Sequence, residues 1–493
     1  MKPIRILLLF LLIAVMLVLS VLLHRACNYF QNPQVQAFSI IPDNVSFIVK
    51  GKQTDDLLQF HQGNARFLSL LSSQKQQKNI DYLFNNILHQ EKYRKITKNT
   101  SLYLSLHNET DEQWAIILET EKNQNAVLQD FIDFLSNEFN RQSFVYKNST
   151  IYTFTMGCET LYINHHNGLL LMTYSENLMR QSINKSLQNS DAIQTAIQTL
   201  PAQRNDNAKI LVFVQYQHFI PYLKNKIRKM GGNATELELF QACQWSVFDL
   251  SVKKENILLS GYTRIDTSNN QSKLLTHRNN DLDILKMLPY SANAVFSIKA
   301  RQSADWKTIK SVVQTSEDFF ALMYPTQILT FDIENDTDVF HYLLIKSEDI
   351  SEASFHLYNS LRSSFENNHY LLDTFYIGSL LVGSVDLPNF VFTKLGMCNQ
   401  LPRLKYYTPI DNYLIFTDKK ESILTCIDQL KHNKSLYESV EYQSTQHYFT
   451  REANVFYYCN VKNNKELNKN FQCFRMQLYA QTDSVLVMEV LVR

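Results

Sequence analysis

Glycine is scarce in this chain: 10 of 493 residues, with 10 prolines beside them. Phosphate-cradling loops need glycine wherever backbone must approach a ligand closely, and no GxGxxG is present. The nearest approach to a phosphate loop, Gly378 to Gly383, is followed by Ser384 and Val385 where lysine and a hydroxyl residue are required. Excess charge is missing as well. Lys+Arg is 48 and Asp+Glu 47, a net +1, so the basic excess of a nucleic-acid binder is lacking and no nucleic-acid partner is expected. No CxxC occurs among the 7 cysteines and no HExxH among the 13 histidines, which removes the common zinc spacings. GxSxG is absent, and the SxxK matches at Ser72/Lys75 and Ser251/Lys254 lack their SDN and KTG companions. Asp332, Glu334, Asp336 and Asp338 alternate like calcium ligands. Yet Thr337 occupies the loop's glycine position and Leu343 its bidentate acid, so a hairpin turn is expected there. The sequence nominates no catalytic residue, no metal ligand and no cofactor-binding residue, and no cofactor is expected.

What the chain does have, first, is an apolar run over residues 6–23, interrupted only by Ser20. As a helix it would span about 27 Å, close to a bilayer's hydrocarbon core. His24 and Arg25 follow it where a cleavable leader would carry small residues, and they also spoil a lipoprotein signal at Cys27. Residues 1–27 are therefore expected to form a cytoplasmic tip and an uncleaved signal-anchor, with 28–37 as a polar tether. Lys2 and Arg5 precede the run, so the positive-inside bias places the N-terminus in the cytoplasm and the bulk outside. The membrane thus becomes an expected partner, through one integral helix.

The second feature is an internal repeat. Pro42, Phe47 and Lys50 match Pro289, Phe296 and Lys299. Two alternating strands about a polar turn, residues 102–120, run without a gap against residues 329–347. Each pair is followed by an amphipathic stretch, then by a strand entering a helix ("NGLLLMTYSENL" and "DNYLIFTDKKES"), then by further strands. Aromatics at 12% suit strands with one buried face. The fold class read from this is α+β: a transmembrane helix followed by two tandem, duplicated, mostly antiparallel sheet-plus-helix domains, with helices on one face. The first repeat domain is placed at 38–270, a polar linker at 271–283, and the second repeat domain at 284–493. Cys426 aligns with Ser182 and Cys473 with Val247, so no shared disulfide framework is expected. Most of the cysteines beyond the anchor (Cys158, Cys243, Cys398, Cys426, Cys459 and Cys473) are expected to be buried thiols.

With Ile41-Pro42 and Leu288-Pro289 opening the two halves behind a short anchor, the chain resembles an uncharacterised family of bacterial single-pass cell-envelope proteins. That resemblance implies the inner membrane, with the bulk periplasmic or extracytoplasmic, and carries no reaction. The functional expectation is a non-catalytic, membrane-anchored binding or scaffolding protein with an envelope protein partner. A lipid or amphiphile carrier is the alternative, and an unrecognised enzyme a third. Function is sought where the copies diverge, at residues 72–96 in the first and 386–409 in the second. The latter supplies a candidate partner surface of aromatics beside cations: Phe390, Phe392, Lys394, Arg403, Lys405, Tyr406 and Tyr407.

Overall fold

The computed structural model describes residues 36–493 except 72, 94–96, 99, 109–111, 121–124, 158, 189–191, 202–207, 230–234, 254–255, 270–271, 277–282, 300–312, 315–324, 335–337, 368–373, 378, 386–392, 396–403, 432–434, 451–452 and 461–471. The first half contributes ten strands: β1 (Val45–Gly51), β2 (Thr100–Asn108), β3 (Glu112–Thr120), β4 (Arg141–Tyr146), β5 (Ser149–Met156), β6 (Glu159–His166), β7 (Leu169–Thr173), β8 (Ile210–Gln215), β9 (Cys243–Lys253) and β10 (Asn256–Ile265). The second contributes β11 (Ala292–Lys299), β12 (Pro325–Glu334), β13 (Val339–Ser347), β14 (Thr374–Ile377), β15 (Leu380–Ser384), β16 (Tyr406–Ile410), β17 (Tyr413–Thr417), β18 (Val455–Asn460), β19 (Cys473–Ala480) and β20 (Val485–Val492).

Turn chemistry places several of these strands. Asn167 and Gly168 have positive φ (47° and 81°) between β6 and β7, the Asn-Gly turn that matches strand twist. Lys147 and Asn148 (46° and 65°) do the same between β4 and β5, and Asp411 (51°) begins the turn from β16 to β17. Phe47 on β1 and Phe296 on β11 are both buried.

Twenty strands belong to one large antiparallel sheet, which corrects the expectation of two tandem domains. The reason lies in the last strand of each half. β10 pairs with β20 in antiparallel register, from Ile257 opposite Val492 to Arg264 opposite Val485. Each half would otherwise end on an open row of backbone donors and acceptors, and pairing satisfies both rows at once. The chain forms two compact units whose boundaries ignore the repeat. One comprises Met1–Asp43, Lys50–Ser105 and Asp111–Gln194; the other Asn44–Val49, Leu106–Thr110 and Thr195–Arg493.

Within the first unit the strand order is β2–β3–β7–β6–β5–β4. Within the second, β12–β13–β17–β16–β15–β14 repeats that order strand for strand. Also in the second unit, β1–β8–β9–β10 corresponds to β11–β18–β19–β20.

Helices cover both faces of the strands, not one as expected. In the second unit the Tyr342 hydroxyl donates to the Ser422 carbonyl of helix Lys420–Lys431 at 2.8 Å. Tyr407, on the opposite face, instead feels Tyr358 of helix Ile350–Asn367. In the first unit Arg141 of β4 reaches Ser136 of helix Asn125–Glu138 at 3.3 Å. Its alternate neighbours Phe144 and Tyr146 lie under Arg180 of helix Glu176–Gln188. Double cover explains why β7 and β17 are buried at every position, as continuous apolar runs rather than alternating ones.

The membrane expectation is corrected too. Among the described residues no helix is long and apolar enough to cross a membrane. The longest, Thr54–Leu71 and Ile350–Asn367, have 18 residues each, carry acids in their first turns, and pair a buried stripe with a solvated one. Residues 6–23, on which the single-pass inner-membrane placement and the integral membrane partnership rested, lie outside the described residues. Residues 305–323 also fall outside them, except that Val313–Gln314 forms a short strand paired with Thr393–Leu395. Cys243, Cys426, Cys459 and Cys473 form no disulfide. Cys459 and Cys473 are diagonal neighbours on β18 and β19, but Cys473 pairs with Asn460, so the two thiols point to opposite faces.

Candidate functional site

Of the anticipated partner surface, Lys394, Lys405, Tyr406 and Tyr407 lie among the described residues. Phe390, Phe392 and Arg403 lie outside the described residues, and Lys394 sits in the short strand Thr393–Leu395. Lys405 is exposed, its backbone fixed by the Thr417 carbonyl at 2.8 Å and the Val385 amide at 2.7 Å. Tyr406 is half-buried, its ring 6.2 Å from Phe375 in an edge-on contact. Tyr407 is core, 5% exposed, against Phe416. A Cβ on Gly383 would stand 2.3 Å from the Tyr407 ring, so β15 carries glycine there to admit the phenol.

A concavity formed by described residues lies elsewhere, in a connection that differs between the halves. β18 leads to β19 through residues 461–472, whereas β8 leads to β9 through the longer Tyr216–Ala242. The latter contains helix Tyr216–Lys229 and the 3-10 turn Thr235–Ala242. The helix "YQHFIPYLKNKIRK" carries Lys224, Lys226, Arg228 and Lys229 and no acid. Tyr216, Ile220 and Tyr222 are buried, and the Phe219 ring meets Phe47 edge-on at 6.0 Å. Gln217, Pro221, Asn225 and Arg228 are exposed, with Lys224 half-exposed beside them. These residues recur at helical spacing and so form one wall.

That wall borders a groove of about 800 Å³, the size of a small-ligand or short-peptide site. Tyr216, Cys243 and Trp245 line it, together with Gln215, Gln241, Gln244 and Asp266. Tyr216 is held by its neighbours. Ser246 Oγ donates to the Tyr216 hydroxyl at 2.9 Å and lies 2.6 Å from the Thr263 hydroxyl. Tyr216 also stacks on Phe240, centroids 6.2 Å apart and planes within 8°. Tyr216 and Trp245 are only 6% and 7% exposed, so neither ring offers a free face. Pro221 has no amide hydrogen, which withholds from the Gln217 carbonyl its normal partner one turn on.

The titratable groups are settled in single states. Burial raises the Tyr216 phenol and the Cys243 thiol, keeping both protonated. Asp266 is held low by hydrogen bonds from the Ser268 hydroxyl (2.6 Å) and amide (3.0 Å), so it stays ionised. Among the described residues no group of three or more His, Cys, Asp or Glu side chains is placed to hold a metal.

Sequence reasoning missed this site. The apolar run before Gln215 reads as a strand, and Pro221 argues against the helix that follows. The available signal was the local excess of cations in a chain of net +1.

No model of a known family matches the chain, and neither does any curated protein. Five solved chains match it, among them crystal forms I and IV of TP0453. Form I aligns at TM-score 0.27 and 7% identity over 47% of this chain and 80% of that one. Form IV aligns at 0.27 and 6%, over 47% and 81%. At that TM-score the likeness bears no functional argument.

Proposed function

We propose that this chain is a non-catalytic binding protein that engages a protein partner through the groove beside helix Tyr216–Lys229. The observation that carries the reading is the groove itself: about 800 Å³, lined by glutamines and two cations, on the longer of two corresponding connections. Its titratable groups support binding over catalysis. Proton transfer needs a group poised between states near the working pH, whereas Tyr216, Cys243 and Asp266 are each driven away from that point. The lining also weighs against an amphiphile carrier, because an acyl chain would lie beside the charged residues Lys224, Arg228 and Asp266.

The test is to purify the tagged protein and its Lys224→Glu/Arg228→Glu variant from the same cells and compare what accompanies each. The expected result is one or more proteins retained by the native chain and lost from an equally well-folded variant. Lipid as the companion, or the same proteins on both, would overturn the reading.

A further inference from the structure

We infer that two copies of this chain associate through strand β4, joining their sheets edge to edge about a two-fold axis at Ser143. Within the first unit β4 (Arg141–Tyr146) ends the strand order: one side pairs with β5, and among the described residues no strand pairs with the other. The hairpin decides which backbone groups face that open side. Lys147 and Asn148 form its two-residue turn, so the closing pair Tyr146–Ser149 exchanges its amide and carbonyl bonds, and Phe144 and Gln142 follow in alternation. The amides and carbonyls of Arg141, Ser143 and Val145 therefore point away from β5, and all three residues are exposed, Val145 at 71%. Natural edges are blunted by lysine, proline or brevity. β4, "RQSFVY", has full strand length, one charge at its start, and neither lysine nor proline. The corresponding edge strand of the second unit, β14, is shorter, with four residues of which Thr374 and Tyr376 face outward.

Register and charge select a second copy of the strand itself. In an antiparallel pair, opposed residues share a face, and outward amides must meet as hydrogen-bonded pairs that exchange two bonds each. Setting Ser143 opposite its own counterpart puts Arg141 opposite Val145 on both flanks, so every outward residue of each copy is matched. Gln142 then falls opposite Phe144 on the other face. The two Arg141 side chains leave the paired strands four positions apart, about 13–14 Å, beyond the screening length of physiological salt. A slip of one residue would set outward groups against inward ones. A slip of two either places Arg141 opposite Lys147, where like charges repel, or places Val145 opposite Phe139, outside the strand. β4 is also held from both faces, by Ser136 on Arg141 and by Arg180 over Phe144 and Tyr146. A strand already fixed loses little freedom on pairing.

Sedimentation velocity on the full chain tests this, with cysteine cross-linking to read the register. The native chain should dimerise reversibly at or below about 100 µM. Val145→Lys sets a cation opposite Arg141 and should weaken the dimer at least about tenfold, whereas Val145→Glu sets a carboxylate there and should tighten it. Ser143→Pro removes an outward amide, spares the β4–β5 ladder and should abolish the dimer. Val145 is exposed, so its two variants keep the test alive even where Ser143→Pro fails to fold, and circular dichroism checks each. Ser143→Cys should give a reducible dimer under mild oxidation, above the level of the native chain, because opposed Cα atoms of a bonded pair lie about 5.5 Å apart. Val145→Cys alone should not, but a mixture of Arg141→Cys and Val145→Cys chains should. A monomer at about 100 µM, a dimer indifferent to the sign of the charge at position 145, or equal cross-linking through 143 and 145 overturns the inference. Species growing beyond the dimer overturn it too: a strand matched to its own copy closes at two, whereas β4 against β14 of a neighbour would run on.

Discussion

The two halves close the same strand series in different ways, and the contrast separates what the fold requires from what is added. Around β18–β20 a short helix, Val440–Gln446, is tied down by Arg475 of β19. Its guanidinium donates to Thr445 Oγ1 at 3.0 Å and to the Tyr442 hydroxyl at 3.2 Å. The same group lies 4.5 and 4.2 Å from the ring centres of Tyr442 and Phe449. Arg475 is 1% exposed and its Nε has no hydrogen-bond partner, so a buried cation is stabilised by hydroxyls, ring faces and the charge of the buried Glu489. Around β8–β10 the buried charge is of the other sign, Asp249 on β9, and the hydroxyls of Ser246, Tyr216 and Thr263 satisfy one another beneath the groove. One half uses its polar residues to fasten a helix. The other fastens Tyr216, which lines the groove, and leaves the cations of its longer helix facing outward.

The most damaging changes should be those that strike what both halves share. Phe47→Ala and Phe296→Ala should each cost about 3–5 kcal/mol in denaturant titrations, since both rings are buried on corresponding strands. Costs differing by more than about 2 kcal/mol would break the equivalence of β1 and β11.

Arg475→Ala should come next, at about 3 kcal/mol, because it leaves a cavity and strips two hydroxyls of their partner. Arg475→Met should recover only part of that loss, since it refills the cavity but takes the cation away from the buried Glu489. Failure of methionine to recover would mean that the charge itself fixes helix Val440–Gln446.

Gly261→Ala tests the joint between halves, where a Cβ would stand 1.9 Å from the Val247 carbonyl oxygen. A loss of about 1–3 kcal/mol is expected on thermal melting, because backbone rather than a flexible side chain must yield.

Two histidines sharpen the contrast through pH. Burial, with His218 adding to it, pushes His107 down to about 3, while its Nδ1 lies 2.9 Å from Asn44 Oδ1. Its contribution is present above the unfolded value near 6.5 and is lost as pH falls from there toward 3. For His341 burial opposes charging, but the hydrogen bond with Asp332 (2.8 Å) and the charge of Asp418 outweigh it and raise the pKa. That contribution is full below about 6.5 and fades as pH rises through the raised folded value. His107→Gln should flatten the acid limb of a stability–pH curve, and His341→Gln should lower stability at pH 5 more than at pH 8. The reverse pattern would sink both assignments. The smallest effect belongs to Arg228→Glu, which should shift stability by less than about 0.5 kcal/mol because the residue is exposed.

Local pattern in the sequence carried much of the architecture. The alternation over 102–120 and 329–347 corresponds to β2–β3 and β12–β13, and the amphipathic stretches after them to helices Asn125–Glu138 and Ile350–Asn367. Pattern did not reveal the pairing of β10 with β20, because alternation tells which face of a strand is buried and nothing about its lateral neighbour. Helices on both faces were hinted at by the unbroken apolar runs "LLLMT" and "YLIFT", which alternation-based reading treats as ordinary strands. The burial of Tyr407 was hidden for a similar reason. Its neighbours on the chain are polar or half-exposed, and only the glycine across the ladder at Gly383 makes room for the ring. The groove was hidden by Pro221, a helix breaker by propensity that here stands on the exposed wall where its missing amide is tolerated.

The β10–β20 pairing also has a consequence in time. When Ile265 has been synthesised, β10 has its β9 neighbour, but its other edge waits for the last residues of the chain. With residues 266–493 still to be translated at about 5–20 residues per second, that wait lasts roughly 10–50 s. Throughout it the nascent protein displays a ten-residue strand with one row of backbone groups unclaimed, and adjacent chains on one messenger display the same strand. The closing strand Val485–Val492 thus governs how long each new molecule stays open to association with its neighbours.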